Sequence, residues 1–76
     1  MKLIVNGEER VIDSDQGGGE GEEAALPISE LLRQLGLEGR PVLVEKNGEA
    51  LLARDLDQST VVEGDRIEIL RMVAGG

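Results

Sequence analysis

Two Asn-Gly pairs constrain the fold of this chain more than any other feature, because each stands between stretches rich in β-branched and aliphatic residues. Asn-Gly is the strongest short signal for a tight β-hairpin, since both residues tolerate positive φ. The pairs are Asn6-Gly7, between residues 3–5 and 11–12, and Asn47-Gly48, between residues 41–46 and 50–52. The sequence therefore predicts two hairpins.

The length of the first hairpin loop decides which side chains face the core. A two-residue turn would place Leu3 opposite Arg10, whereas a three-residue loop would place Leu3 opposite Val11 and a four-residue loop opposite Ile12. Each one-residue slip moves a strand's side chains to the other face of the sheet. We expect a loop longer than two residues that includes Glu8.

Between the hairpins, apolar residues change to a helical spacing. Ile28, Leu31, Leu32 and Leu35 stand at i, i+3, i+4 and i+7 and form one apolar stripe. Pro27 suits the first turn of a helix. Gly36 followed by Leu37 is typical of a helix C-terminus at which glycine adopts a left-handed conformation and the next residue makes an apolar contact with the helix. We predict one helix of about two and a half turns.

The second half of the chain ends in the clearest alternating pattern, over residues 66–72. A polar connector over 55–60, with one helical turn, and a turn at Glu63-Gly64-Asp65 precede this strand. The predicted fold class is α+β in the order ββαββ, where the last β is the strand after the connector: one mixed sheet with one helix on one face. The single apolar stripe of the helix leaves the opposite face of the sheet to solvent or to a partner.

Composition excludes most function classes. With 76 residues we expect a single domain over 1–76, and the absence of Cys and His removes thiol chemistry and the commonest metal ligand. There is no aromatic residue, so the core must come from the 23 Val, Ile and Leu residues. A net charge of −8 disfavours nucleic acid and anionic membranes and favours a basic protein partner. No segment resembles a signal peptide or membrane span, so we expect a soluble, cytoplasmic protein that is monomeric when free.

Residues 13–26 are rich in Gly and Glu, and we expect a flexible acidic loop there. A calcium site built from its carboxylates matches no EF-hand spacing. A phosphate cradle over 17–21 is equally disfavoured, because neighbouring carboxylates repel phosphate. The carboxylates considered for calcium are Asp13, Asp15, Glu20, Glu22 and Glu23. We expect no bound metal or cofactor.

The reactive group that remains is the α-carboxylate of Gly76. It follows Gly75, and the two glycines allow the backbone to enter a narrow channel of another protein. A terminal Gly-Gly alone is weak evidence, because many flexible termini end in glycine. Here only Val73 and Ala74 lie between the pair and the predicted final strand. We expect residues 73–76 to form a flexible tail.

At this point the sequence resembles the small sulfur-carrier proteins of thiamine biosynthesis, the ThiS family, which have the ubiquitin-like β-grasp fold. The resemblance covers most of the chain, and its strength lies in the order and spacing of the matching segments. Two differences are a Gly/Glu-rich expansion between Asp13 and Leu26 and Pro27 where a Thr cap is common. The matching segments are residues 3–8, 28–35, 42–49, 63–70 and 73–76.

The resemblance implies a carrier and not an enzyme. Gly76 would be adenylated by an E1-like enzyme of the ThiF or MoeB kind that consumes ATP, and then converted to a thiocarboxylate. A sulfur donor such as a cysteine desulfurase would supply the sulfur, and a ThiG-like thiazole synthase would receive it.

Partner contact is expected on the sheet face opposite the helix and along the tail. If Ile67 and Ile69 point to the core, strand alternation turns their neighbours to the other face. These residues could equally form a small surface patch without a partner. The predicted contact residues are Ile4, Glu68, Leu70, Met72, Val73 and Ala74.

Three alternatives remain open from sequence. A molybdopterin-type sulfur carrier or a ubiquitin-like protein modifier would use the same Gly76 chemistry with a different acceptor. The third is a non-covalent interaction domain, for which the tail would be dispensable.

Overall fold

A five-stranded mixed sheet and one short helix form the centre of the computed structural model, which describes residues 1–13 and 25–72. The strands of this sheet are β1 (Lys2–Val5), β2 (Glu8–Val11), β4 (Val42–Lys46), β5 (Glu49–Leu51) and β7 (Arg66–Arg71). Their order in the sheet is β2-β1-β7-β4-β5, with β1 parallel to β7 and the other pairs antiparallel. The helix is α1 (Ile28–Gln34). The predicted α+β class, with one helix on a mixed sheet, is confirmed.

A second, two-stranded sheet was not predicted. β3 (Leu26–Pro27) pairs antiparallel with β6 (Thr60–Val61), and the backbone N–H of Ile28 donates to the carbonyl of Ser59 at 2.9 Å. Leu26 therefore enters the core from a strand and not from the helix. The flexible loop was predicted over residues 13–26, and its end is wrong, because Leu26 lies in β3. Residues 14–24 of this loop and the whole predicted tail, 73–76, lie outside the described residues.

The first hairpin has a two-residue turn, so the predicted longer loop that includes Glu8 is wrong. Val5 pairs with Glu8 and Leu3 with Arg10. Asn6 and Gly7 both have positive φ, 51° and 82°, which matches the right-handed twist of the strands on either side. As a consequence Val11 is 80% exposed, while Ile12, just beyond β2, reaches the core and exchanges backbone hydrogen bonds with Met1.

The second hairpin is confirmed. Lys46 pairs with Glu49 across Asn47-Gly48, and the returning strand begins at Glu49, one residue earlier than expected. The helical turn predicted in the connector over 55–60 is found earlier in the chain, as a 3₁₀ turn at Ala53–Asp55 that shares only Asp55 with the predicted range.

The helix is shorter than predicted, about two turns, but its apolar stripe and its stop are confirmed. Ile28, Leu31 and Leu32 are buried, and Leu35 packs partly against the core. Pro27 precedes the first turn in an extended conformation (φ −59°, ψ 142°). Gly36 ends the helix with φ +77°. The core consists of Leu3, Val5, Ile12, Leu26, Ile28, Leu31, Leu32, Val44, Val61, Ile67 and Ile69.

Candidate functional site

The candidate site is the C-terminal end of β7, which leads to the last residues of the chain. β7 lies between β1 and β4, so it is the central strand of the main sheet. Its ladder with β4 runs from the Lys46–Ile67 pair to the Val42–Arg71 pair, and Met72 N–H donates to the carbonyl of Pro41 at 2.9 Å. A segment that follows Met72 therefore begins at a backbone fixed by hydrogen bonds. Val73, Ala74, Gly75 and Gly76 lie outside the described residues.

Asn6 extends the contact of the first hairpin with β7 beyond the end of β1. Its backbone N–H donates to the carbonyl of Ile67 at 2.9 Å. Its side-chain amide then acts like another peptide group: Oδ1 accepts from the N–H of Ile69 at 2.7 Å, and Nδ2 donates to the Ile69 carbonyl at 3.2 Å. The turn thus satisfies backbone groups of β7 that β1 is too short to reach.

Asn47 does the same at the start of β7. Its backbone N–H donates to the carbonyl of Arg66 at 2.8 Å, its Oδ1 accepts from the N–H of Arg66 at 2.9 Å, and its Nδ2 donates to Oδ1 of Asp65 at 3.1 Å. Both Asn-Gly turns therefore hold the central strand. Sequence reasoning assigned these asparagines only a turn role, although the repeated choice of Asn before Gly was a signal available in the sequence.

The face of the sheet opposite α1, here called the outer face, carries the predicted contact residues that the structure describes. Ile67 and Ile69 are buried, whereas Leu70 and Met72 are 58% and 59% exposed. Glu68 and Ile4 are half-buried. Leu43, paired with Leu70, is 39% exposed and was missed by the sequence analysis. The alternation along β4 around buried Val44 was the signal that could have identified it.

The structure brings Leu43, Leu70 and Met72 to the tail end of β7 but places Ile4 elsewhere. Ile4 pairs with Arg66, the first residue of β7, which is six residues before Met72. At about 3.3 Å per residue, Leu70 and its partner Leu43 lie about 13 Å along the strand direction from Ile4, and Met72 lies about 20 Å from it. The predicted set therefore divides into an apolar cluster beside the tail and a separate position on β1.

Charges on the outer face lie beside Ile4 and between Ile4 and the apolar cluster. Lys2 forms an ion pair at 3.4 Å with Glu9, the cross-strand partner of Ile4. Between Ile4 and the cluster, Glu45 and Glu68 are directly paired across β4 and β7, and both are half-buried. Like charges opposite each other disfavour the isolated sheet slightly. A basic group of a partner would relieve this repulsion.

Two neighbouring side chains on the surface of α1, Glu30 and Arg33, have shifted pKa values. The Arg33 guanidinium and then the Gln34 amide donate to the Glu30 carboxylate and lower the pKa of Glu30 below its ordinary value, and the same carboxylate raises the pKa of Arg33. This is a structural ion pair one turn apart on the helix surface.

Neither a cluster of metal ligands nor a helix able to span a membrane is present among residues 1–13 and 25–72. No group of acidic side chains there could hold a metal ion, and of the carboxylates considered for calcium only Asp13 is described. No helix formed by the described residues has the length and apolar character needed to cross a membrane.

A short helix covered on one side by a five-stranded mixed sheet, with the last strand central and parallel to the first, defines the ubiquitin-like β-grasp class. Comparison with known proteins then identifies the family. The sequence model of the ThiS family matches residues 3–76, and the chain belongs to that family.

Solved structures support the assignment over the whole chain. A crystal structure of the thiamine biosynthesis protein ThiS from Geobacter metallireducens is 36% identical, covers 100% of both chains and superimposes with a TM-score of 0.74. The solution structure of a thiamine biosynthesis protein from the same organism is 38% identical, covers 100% of this chain and 88% of that one, and has a TM-score of 0.71.

A curated relative is much longer. It is a thiazole synthase from Paramagnetospirillum magneticum, 36% identical over 76 residues, which is 100% of this chain. This chain spans 20% of that protein's length.

Proposed function

We propose that this chain is the sulfur carrier of thiamine thiazole formation and that Gly76 carries the sulfur. Membership of the ThiS family over residues 3–76, a range that includes Gly75-Gly76, is the observation that carries the proposal. The rigid attachment of Met72 to Pro41 supports it, because a fixed starting point positions a short tail better than a long free one.

The chemistry follows from the weakness of a carboxylate as an electrophile. A carboxylate oxygen of Gly76 attacks the α-phosphorus of ATP in an adenylating partner, and pyrophosphate leaves. Sulfur then attacks the carbonyl carbon and AMP leaves. With sulfide the product is the thiocarboxylate directly; with a persulfide, such as that of a cysteine desulfurase, a thiol must then cleave the S–S bond. The carrier itself needs no Cys or His for these steps, and the sequence has none.

The proposed partners follow from this chemistry. ATP is consumed by an E1-like adenylating enzyme and is not a resident cofactor of the carrier. Thiazole synthase as the acceptor is supported by the curated relative of that name, in which the matching region is a fifth of a longer chain. We place these steps in the cytoplasm, where ATP is available.

Intact-mass spectrometry tests the proposal. Incubation with ATP and an E1-like adenylating enzyme should add AMP to the chain, and a sulfur source should then exchange one oxygen for one sulfur. Sulfur transfer from the product to a thiazole synthase distinguishes thiamine formation from a molybdopterin-type carrier. Appearance of an isopeptide-linked conjugate would instead indicate a protein modifier.

Two tail variants locate the reactive carbon. Removal of Gly76, or addition of one residue after it, moves the carboxylate by about 3.5 Å and should abolish AMP addition. The fold should be unchanged, because the described core does not include residues 73–76. Normal adenylation of either variant would show that Gly76 is not the site.

A further inference from the structure

Two arginines line a small pocket on the helix side of the sheet. Arg10 pairs with buried Leu3, and Arg71 lies two residues after buried Ile69, so strand alternation directs both toward the helix side. Both are nevertheless exposed. The reason is that α1 ends at Gln34 and Gly36 turns the chain away, which leaves this end of the sheet uncovered by the helix.

The lining of the pocket is partly apolar. Val5 and Ile69 from the sheet and Leu35 and Leu37 from the end of the helix line it together with Asn6 and the two arginines, and its volume is about 160 Å³. Arginine can cover apolar side chains with its aliphatic stem while its guanidinium remains in water. The pocket thus combines two guanidinium groups with apolar side chains and one amide.

Neither arginine is neutralised within the part of the chain that the structure describes. The ion pairs found there, Lys2 with Glu9 and Glu30 with Arg33, involve neither Arg10 nor Arg71. Glu8 lies two residues from Arg10 on the same face of β2, a separation of about 7 Å along the strand, and forms no ion pair with it. Two arginines without an ion pair among residues 1–13 and 25–72, in a chain of net charge −8, are an arrangement suited to a carboxylate from outside.

Size and position indicate what that carboxylate belongs to. Small-molecule sites usually enclose about 300–1,000 Å³, so a pocket of about 160 Å³ fits one side chain better than a nucleotide. Arg71 immediately precedes Met72, the last described residue before the tail. A protein that encloses residues 73–76 must therefore contact the surface around Arg71.

We propose that the Arg10–Arg71 pocket binds an aspartate or glutamate side chain of the adenylating enzyme that encloses the tail. This inference rests on the proposed function. The pocket supplies a charged contact on the helix side of β7, while Leu43, Leu70 and Met72 supply apolar contact on the outer face. Arginine suits this role because its planar guanidinium holds a carboxylate with two parallel hydrogen bonds.

Steady-state kinetics of adenylation test the pocket. Arg10→Glu and Arg71→Glu should each raise KM for the carrier about ten-fold or more and leave kcat nearly unchanged, since a charge-assisted contact remote from the reacting carbon is lost. Arg71→Lys keeps the positive charge but lacks the planar guanidinium that forms two parallel hydrogen bonds, so its KM should lie between those of wild type and Arg71→Glu. Arg54→Glu, at an exposed arginine on the 3₁₀ turn, is the matched control and should behave like wild type.

The outcomes separate this inference from the proposed function. If the wild-type chain gains no AMP, the proposed function fails; if it gains AMP at Gly76 while Arg10→Glu and Arg71→Glu keep the wild-type KM, the pocket inference alone is overturned. Thermal unfolding of each variant checks the fold, and Arg71→Gln replaces Arg71→Glu if the latter unfolds. Saturable binding of inorganic phosphate to the free carrier that both arginines require, with KM unaffected, would identify a small-anion site and also overturn the inference.

Discussion

Asn6 illustrates how much a single side chain contributes to this small sheet. Its amide forms two hydrogen bonds with the backbone of Ile69, in the central strand and 63 residues away in sequence. A hairpin needs Asn here only for its tolerance of positive φ, which Gly offers equally. The side chain therefore contributes to tertiary structure beyond its role in the turn.

Replacement of Asn6 by Gly tests this contribution. The turn should persist, but the N–H and carbonyl of Ile69 lose their partners, so we expect a loss of about 1–3 kcal/mol in the free energy of unfolding. Urea denaturation measures the loss, and hydrogen exchange should show faster exchange of the Ile69 amide. Asn47→Gly is the matched control and should lose less, because its side-chain bonds are exposed. Equal stability of Asn6→Gly and wild type would contradict this role.

Glu30 provides a prediction about pH. Hydrogen bonds from Arg33 and Gln34 lower its pKa in the folded chain below the ordinary value of 4.5. The ionised form is therefore favoured by folding, and its stabilising contribution is present above pH 4.5 and lost as the pH falls through the lowered pKa. The stability difference between wild type and Glu30→Gln should shrink over that acidic range.

Urea denaturation at several pH values measures this difference, and NMR titration of the Glu30 carboxyl gives its pKa directly. Arg33→Gln is the control, because loss of the first donor should return the pKa of Glu30 toward 4.5. If the NMR titration of Glu30 in the wild-type chain has its midpoint at or above pH 4.5, the ion pair does not lower the pKa of Glu30 in solution.

At the scale of elements, the end of α1 is defined by backbone hydrogen bonds as well as by its apolar stripe. Leu37 N–H donates to the carbonyl of Leu32 at 2.8 Å, and Gly36 N–H donates to that of Arg33 at 3.1 Å. These two bonds form a Schellman motif, and Gly36 at φ +77° is the residue that makes it possible. The motif turns the chain away and leaves the Arg10–Arg71 pocket open.

Gly36→Ala tests the helix stop. An added Cβ would meet no atom within 4 Å, so the cost is backbone strain alone, about 1–2 kcal/mol. For a domain of this size we expect the melting temperature to fall by about 4–8 °C per kcal/mol. Gly36→Asn is the comparison variant and should lose less, since Asn tolerates the left-handed region. If Gly36→Ala has the same melting temperature as wild type, backbone strain at this position is excluded.

The register of the first hairpin could not be predicted from the local pattern of residues. The pattern at Val11 and Ile12 allowed three registers, and the predicted longer loop was wrong. The two-residue turn is favoured by contacts that a local pattern does not contain: the Asn6 bonds to β7 and the docking of Ile12 beside Met1. In the second hairpin the local signal sufficed, because Val44 must face the core and its register agrees with the tight turn.

At the scale of the whole molecule, the sheet has two faces with different roles. α1 covers one face with the core, while the outer face shows Leu43, Leu70 and Met72 next to the start of the tail. Exposed apolar side chains that form a group are typical of a docking surface, and this group adjoins the tail proposed to carry sulfur. We therefore expect this cluster to support partner binding and to be dispensable for folding.

Leu70→Glu should weaken binding to the adenylating enzyme or thiazole synthase at least ten-fold, because burial of an unpaired charge opposes association. Leu52→Glu is the matched control: Leu52 is 54% exposed, compared with 58% for Leu70, and follows edge strand β5. Calorimetric titration gives the affinities, and thermal unfolding should be unchanged in both. Unfolding of Leu70→Glu alone would show that the residue supports the core instead.

The sequence by itself determined the two hairpins, the single helix, the final strand with its inward side chains and the resemblance to the family, because hairpin turns, helical stripes and strand alternation are local patterns. It did not reveal the β3–β6 pair, the register of the first hairpin, the roles of Asn6 and Asn47, or the meeting of Arg10 with Arg71. Each of these depends on which strands become neighbours in space, and that is decided by packing of the whole core around α1.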